Sequence, residues 1–268
     1  MIPVHVSQNI EFPAGNSSFE IDTERDLQLT FRCRENCAVF VRVTKAKDLR
    51  IRGFFDEGVH ASVLFWNVSE DEVHFDESYE VMRDADVTVA YGECAKGNTQ
   101  KDIHAVLRQS GARFLLSSAS LVSSRKHYNM CVVNDAPHTY GEMKNYAVVL
   151  DHGDLMIDAI GQILKGAYRS ENHQTSRAMS FEEGQRSEIL PELLIDENDV
   201  QASHAMSIGR MDEDQLYYMM SRGLSMKECT SLVSSGYLMP IADIIEDEEL
   251  KQILREELER KIAESCSM

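Results

Sequence analysis

Three groups of side chains in this 268-residue sequence have types and spacings that could do chemistry: six cysteines, the carboxylates Asp151, Asp154 and Asp158, and two histidines close to one cysteine. Thiolates are the ligands of soft metals and the carriers of sulfur. The cysteines are Cys33, Cys37, Cys94, Cys131, Cys229 and Cys266, and no two of them form a C-x-x-C pair. Cys33 and Cys37 are close, but they fall on the two arms of an expected hairpin and lack a second pair nearby, which argues against zinc. Cys131 sits in Asn129-Met-Cys-Val-Val133, with His127 and His138 nearby in sequence. It is the best-placed thiol for ligating a soft metal, against the plainer reading of an inert buried cysteine. The aspartates could pair as acid and base in a polysaccharide-active enzyme. A strand-end Asp/Gly turn explains them as well, and one Trp with 7% aromatic content offers sugars little platform. No G-x-x-x-x-G-K-[ST] run occurs, so no nucleotide is expected on this chain.

The elements that must position these groups are mostly strands. Leu27–Cys33 alternates apolar and polar residues strictly, Arg34-Glu-Asn36 turns the chain, and Cys37–Val43 repeats the period. Short β-type segments follow at Leu49–Phe55, Ala61–Val68, Val73–Phe75, Val87–Tyr91, Arg113–Leu116, Ala147–Leu150 and Leu155–Ile160. Many short strands without intervening helices suit either a sandwich or barrel, or a solenoid of stacked strands. The scarcity of Asn-Gly and Asp-Gly hairpin signals tilts toward a parallel β-helix, although no strict repeat proves it.

The C-terminus is different. Asp212-Glu-Asp-Gln215 and Ser225-Met-Lys-Glu228 both read as capping boxes, and Gly223 and Gly236 as helix stops. They predict short helices over 212–222 and 225–235, then a longer one from about Glu248 with Leu250, Ile253, Leu254, Leu258 and Ile262 as its apolar stripe. The simplest role for these helices is to cap the open end of the β-core. The expected division is a β-rich region over 1–210 and a small C-terminal helical domain over 211–268.

Bulk properties narrow the partners. A formal net charge of −18 repels phosphate backbones, so nucleic acid is not expected. No apolar run approaches the roughly 20 residues that span a bilayer, and the first residues lack a signal-peptide pattern. A cytoplasmic location with reduced thiols is expected.

From His173 to Leu238 the chain resembles the SufB/SufD family of the SUF iron–sulfur cluster assembly machinery. The resemblance is carried by Gln174-Thr-Ser-Arg177, Pro191-Glu-Leu-Leu-Ile195, Asn198-Asp-Val200, Ser203-His204-Ala205, Leu216-Tyr-Tyr218, Ser221-Arg-Gly-Leu-Ser225 and Gly236-Tyr-Leu238, in order and spacing. It implies a right-handed parallel β-helix with a C-terminal helical domain, and a non-enzymatic scaffold role. It also implies a homodimer or SufB/SufD-type heterodimer through the β-helix, and a SufC-like ABC ATPase held by the helices. A cysteine desulfurase or sulfur carrier is a further implied partner, and a transient iron–sulfur cluster, [4Fe-4S] among the types, is the implied cargo. On this reading Tyr217, Tyr218, Arg222 and Gly223, with Met219 and Met220, form the ATPase-docking surface, while Leu216 and Met219 could equally be core. His204 matches the family's Ser-His motif and becomes the leading metal ligand, ahead of Cys131. Two departures matter. Ala202 stands where many SufD-type sequences have Cys, and Ser176 near a cysteine of SufB-type sequences. Other residues then hold the cluster, or the chain is an adaptor that binds the ATPase without ligating metal. The chain also reads as a short form of the family.

Overall fold

The structure, a computed structural model, describes residues 1–150, 152–181, 185–244 and 248–265. Asp151 and Cys266 lie outside the described residues, as do the side chains of Leu250 and Ile253. Among the described residues seventeen strands coil into a β-solenoid whose turns each add one strand to each of two parallel sheets.

One sheet holds the odd strands β1 (Ile2–Val4), β3 (Gly15–Asp22), β5 (Cys37–Lys45), β7 (His60–Asn67), β9 (Asp86–Glu93), β11 (Arg113–Val122), β13 (Tyr140–Val149), β15 (Glu171–Ser180) and β17 (Gln201–Arg210). The other holds β2 (Gln8–Phe12), β4 (Leu27–Cys33), β6 (Asp48–Phe55), β8 (Val73–Val81), β10 (Thr99–Leu107), β12 (Arg125–Asn134), β14 (Asp154–Ile163) and β16 (Arg186–Ile195). The solenoid reading is therefore the right one and the sandwich is not. The expected hairpin is corrected too: Leu27–Cys33 and Cys37–Val43 are strands, but they lie in opposite sheets and pair with the coils before and after.

From β4 to β15 alternate residues point into the lumen, which holds Phe12, Phe19, Phe31 and Phe55 at one end and further on Leu, Val and Ile with Tyr79, Tyr91 and Phe114 among them. The absence of a strict repeat has a physical cause. The coil grows from 22 residues, Gly15 to its partner Cys37, to 32, Asp154 to Arg186. One corner nonetheless recurs coil after coil as a left-handed residue followed by a buried neighbour: Gly58-Val59, Asp84-Ala85, Gly111-Ala112, His138-Thr139 and Arg169-Ser170. Because only two of those five positions are glycine, the repeat is hidden in the sequence.

After β17 come α1 (Glu213–Ser221), α2 (Met226–Leu238), a 3-10 turn (Met239–Ile244) and α3 (Glu248–Ser265). Asp212 accepts from the amides of Asp214 and Gln215, and Ser225 with Glu228 forms a complete capping box. Gly223, with φ of +96°, lies just past the end of α1, but Gly236 lies inside α2 rather than ending it. The helices do not cap the end of the coil. α2, the 3-10 turn and α3 lie along the outer face of the odd sheet, where Leu238, Ile241, Leu254, Leu258 and Ile262 pack on Phe40, Leu64, Trp66, Leu121 and Val148. Outward positions of those strands are apolar, so the sheet is buried on both faces and needs a cover. Arg42 clamps α3 with a two-pronged ion pair to Glu257, at 2.9 and 2.7 Å.

Candidate functional site

The last coil is built like the others but left uncovered. β16 pairs only with β14 and β17 only with β15, and among the described residues no strand lies beyond either. All ten residues of β17 are exposed. Its sequence, Gln-Ala-Ser-His-Ala-Met-Ser-Ile-Gly-Arg, is small and polar, with little strand preference of its own. It is held by templating on β15, aided by the contact of His173 Nδ1 with Ser203 Oγ at 2.7 Å. Leu190, Leu194, Ile195, Met206 and Ile208 are exposed on this final turn.

Register places His204 opposite Gln174 and Met206 opposite Ser176. Asn172, Gln174 and Ser176 of β15 are lumen residues and buried, so His204 stands on the lumen face at the open mouth. Beneath it the lumen turns polar. Ser118 donates to Asn145, Asn145 donates to Ser176, and Asn172 donates to Asn134, while Gln174 donates to the carbonyl of Glu192. Among the described residues the carboxamide oxygens of Asn172 and Gln174 find no hydrogen-bond partner. Gly161 makes this seam possible, since a Cβ there would come within 2.3 Å of Asn172 Oδ1. Ala202 and Ser176, where the family has cysteines, are both on this strand pair, so no thiol faces the mouth from either position.

Cys131 is elsewhere. It lies on β12 with His104 and Ile160 as register partners, facing outward because its neighbours Met130 and Val132 fill the lumen. Burial pushes its thiol up, which favours the protonated form over a metal-binding thiolate. His127 is on the same strand and contacts Asp154 at 3.6 Å, whereas His138 is one of the left-handed corner residues, its ring 5.5 Å from Tyr168. The three therefore do not converge. No group of three or more His, Cys, Asp or Glu among the described residues is arranged to hold a metal ion.

Asp154 and Asp158 share the outer face of β14. Asp154 is occupied by His127 and by Arg186 at 3.8 Å. Asp158 is held above the usual carboxylate range by burial and by Glu192 and Glu188.

The docking residues expected on α1 are displayed. No residue of α1 is buried. Tyr217 and Tyr218 are 76% and 58% exposed, and the Arg222 guanidinium lies over the Tyr218 ring at 5.1 Å. Leu216 and Met219 are half-buried, as a helix resting on α2 requires.

Sequence reasoning missed a charged cluster sealed in the mid-lumen. Glu93, Lys101 and Lys126 are all at most 1% exposed. Lys101 Nζ donates to Glu93 at 2.8 Å and lies over the rings of Tyr91, Tyr128 and Phe75. Lys126 donates to Glu93, Thr99 and the carbonyls of Ala95 and Gly97. Burial penalises the Glu93 charge, but the two ammoniums outweigh it and hold the carboxyl below its ordinary value. Next to it, Glu77 accepts from the hydroxyls of Tyr79 and Tyr91. Burial outweighs those bonds and pushes its carboxyl up to about 7. The available signal was a lysine on the apolar side of the β10 alternation.

The fold is a β-solenoid whose last coil is uncovered, with an aromatic helix following it. Comparison with known proteins gives the family. The family described as SUF system FeS cluster assembly, SufBD core domain, matches residues 58–237, and the chain belongs to that family. The chain is similar to the iron–sulfur cluster assembly protein SufD of Bacillus subtilis, 35% identical over 137 residues, which is 51% of this chain and 31% of that protein. It is 32% identical over 107 residues to a SufBD family protein of Mycobacterium bovis, covering 40% of this chain and 13% of the relative. With SufB of B. subtilis it shares 22% identity over 169 residues, 61% of this chain and 36% of that one. The match thus spans about a third or less of the length of these relatives. No helix among the described residues is long and apolar enough to cross a membrane.

Proposed function

We propose that the chain is a scaffold subunit for iron–sulfur cluster assembly that works with a SufC-like ABC ATPase. The observation that carries this reading is the uncovered last coil. Among the described residues no strand pairs with the edge of β17 that faces away from β15, and Met206 and Ile208 are exposed on it. A long, unprotected edge of that kind is a template for another chain. The occupant is a second β-helix, either another copy or a SufB/SufD-type subunit, and His204 is then enclosed between the two. The iron–sulfur cluster is cargo. His204 offers it an imidazole, and the missing thiols at Ala202 and Ser176 leave soft ligands to be supplied by the partner subunit or by a sulfur donor.

The ATPase docks on α1 and the turn into α2. Tyr217, Tyr218 and Arg222 provide the aromatic and guanidinium groups that interfaces favour, and Gly223 sets the angle between the helices. Co-purification with the ATPase tests the docking, with Arg222→Glu and Tyr218→Asp expected to abolish it while the fold stays intact. Anaerobic reconstitution with iron and sulfide, read by absorption near about 400 nm, separates scaffold from adaptor. A cluster lost in His204→Ala supports ligation. No cluster in the wild-type pair, with ATPase binding retained, establishes the adaptor reading instead.

A further inference from the structure

We propose that the outer face of the even sheet, at its β12–β14–β16 end, docks a basic amphipathic helix of a separate protein. The two outer faces of the solenoid are finished differently. On the odd sheet the outward apolar residues lie under the chain's own helices, and α2 with the 3-10 turn packs on β9, β11 and β13. On the even sheet the early coils present charged side chains that pair across the coils: Arg32 with Asp56, Arg50 with Asp76, and His74 with Asp102. That polar finish gives way toward the open end. Ile157, Ala159 and Ile189 fill the lumen, so alternation turns Ile160, Leu190 and Leu194 outward. Register sets Cys131, Ile160 and Glu192 in one row, and Asn129, Asp158 and Leu190 in the next. Leu190 and Leu194 are exposed, and Cys131 and Ile160 are half-buried.

The dimensions of this patch suit a helix. From β12 to β16 is two strand spacings, roughly 10 Å, and Leu190 to Leu194 is roughly 13 Å along the strand. Those lengths are about one helix diameter and a little over two helical turns. A sheet with an apolar outer face is ordinarily closed by a packed helix, as the odd sheet of this chain already is.

Charge decides what kind of helix. Arg186 is engaged by Asp154 and Glu188. Among the described residues Asp158 and Glu192 have no ion-pair partner, and Asp158 Oδ1 is buried without a hydrogen bond. Burial and the carboxylates of Glu192 and Glu188 raise the Asp158 carboxyl, with His127 opposing them. A lysine or arginine brought alongside relieves that crowding, and a further carboxylate worsens it. A second copy is therefore the wrong occupant. Its net charge is −18, and the first turn of its exposed helix α1 carries Glu213 and Asp214, so acid would meet acid. The docked helix occupies neither α1 nor the free edge of β17, so this surface is separate from both proposed above.

The test titrates the full-length chain with a labelled leucine–lysine peptide, about 18 residues long so that it forms a helix, and with its leucine–glutamate counterpart. Fluorescence anisotropy should show binding of the lysine peptide and none of the glutamate peptide. Glu192→Lys and Leu194→Asp, both at exposed positions, should each weaken binding about tenfold or more. Tyr218→Asp on α1 should leave it unchanged. Carbodiimide coupling on the wild-type chain should join peptide lysines to Asp158, Glu188 or Glu192, which locates the site even if a variant does not fold. Absence of binding, equal binding of the two peptides, indifference to both face variants, or coupling confined to α1 overturns the proposal. Coupling of two copies of the chain through those same carboxylates, without peptide, gives the face to a second copy and overturns it as well.

Discussion

The middle coils and the last coil share one backbone plan and treat polarity in opposite ways. In the middle, Glu93, Lys101 and Lys126 are sealed in the lumen and satisfied within it. At the end, among the described residues, β17 pairs with a strand on one side only, and His204 with the amide seam below it faces an open mouth. A buried charge cluster is tolerated only where every member has a partner, so the middle must be rigid and self-contained. An open edge with exposed apolar residues is a template on which another chain can pair. On the proposed function, stability belongs to the middle coils and assembly to the last.

The sharpest way to break that contrast is Glu93→Ala. It strands two buried ammoniums and should cost roughly 3–5 kcal/mol in denaturant unfolding. A loss below about 1 kcal/mol would mean the cluster is hydrated rather than sealed.

Glu77→Gln sharpens the same side. In the folded chain the Glu77 carboxyl titrates at about 7, above its ordinary 4.5, so the folded state holds the proton more tightly than the unfolded one. Its contribution is present below pH 4.5 and is lost as pH rises toward 7. The variant should be flat across that window and more stable at pH 8, by at most roughly 3 kcal/mol at about 1.4 kcal/mol per pH unit. Unfolding midpoints against pH read this directly.

On the other side, Ile208→Asp should leave stability within about 0.5 kcal/mol of wild type, because the residue is exposed. Subunit association should weaken about tenfold or more in sedimentation velocity, as loss of an apolar contact at an interface requires. Equal losses of stability and association would erase the distinction between the regions.

The smallest effect is expected at His74 on the outer face of β8. Burial opposes its protonation, but hydrogen bonds to Asp102 at 2.8 Å and Asp48 at 3.3 Å prevail, and the imidazole titrates above its ordinary value. The folded state is favoured by the proton, so this contribution is complete below pH 6.5 and fades as pH rises through the raised value. His74→Gln should flatten the midpoint above pH 6.5, by an amount kept small by solvent screening.

What could be read from residues alone followed the physics of each segment. Leu27–Cys33 is a clean alternation and falls on β4 residue for residue. Ser225-Met-Lys-Glu228 announces the start of α2 because capping is a local event. β10 was missed because Gln100, Lys101 and Asp102 mask the alternation, and β17 because its order comes from β15 rather than from its own residues. The candidate site mixes local and long-range signals. His204 and the tyrosines of α1 rest on short-range motifs, while the lumen cluster depends on contacts such as that of Lys126 with Glu93, 33 residues apart. Placement of α2 and α3 on the odd sheet was hidden for a related reason. Phe40, Leu64 and Trp66 look like ordinary strand residues until the register shows that they point outward.

Hydrogen exchange along Gln201–Arg210 tests the central claim most directly. Amides of β17 facing the open edge should exchange rapidly in dilute chain and become protected when a SufB/SufD-type partner is added or the concentration is raised, while β9 and β10 remain protected throughout. Exchange in β17 that stays fast under both conditions, in samples where assembly with the partner is otherwise demonstrated, would contradict the assignment of the last coil as the joining surface.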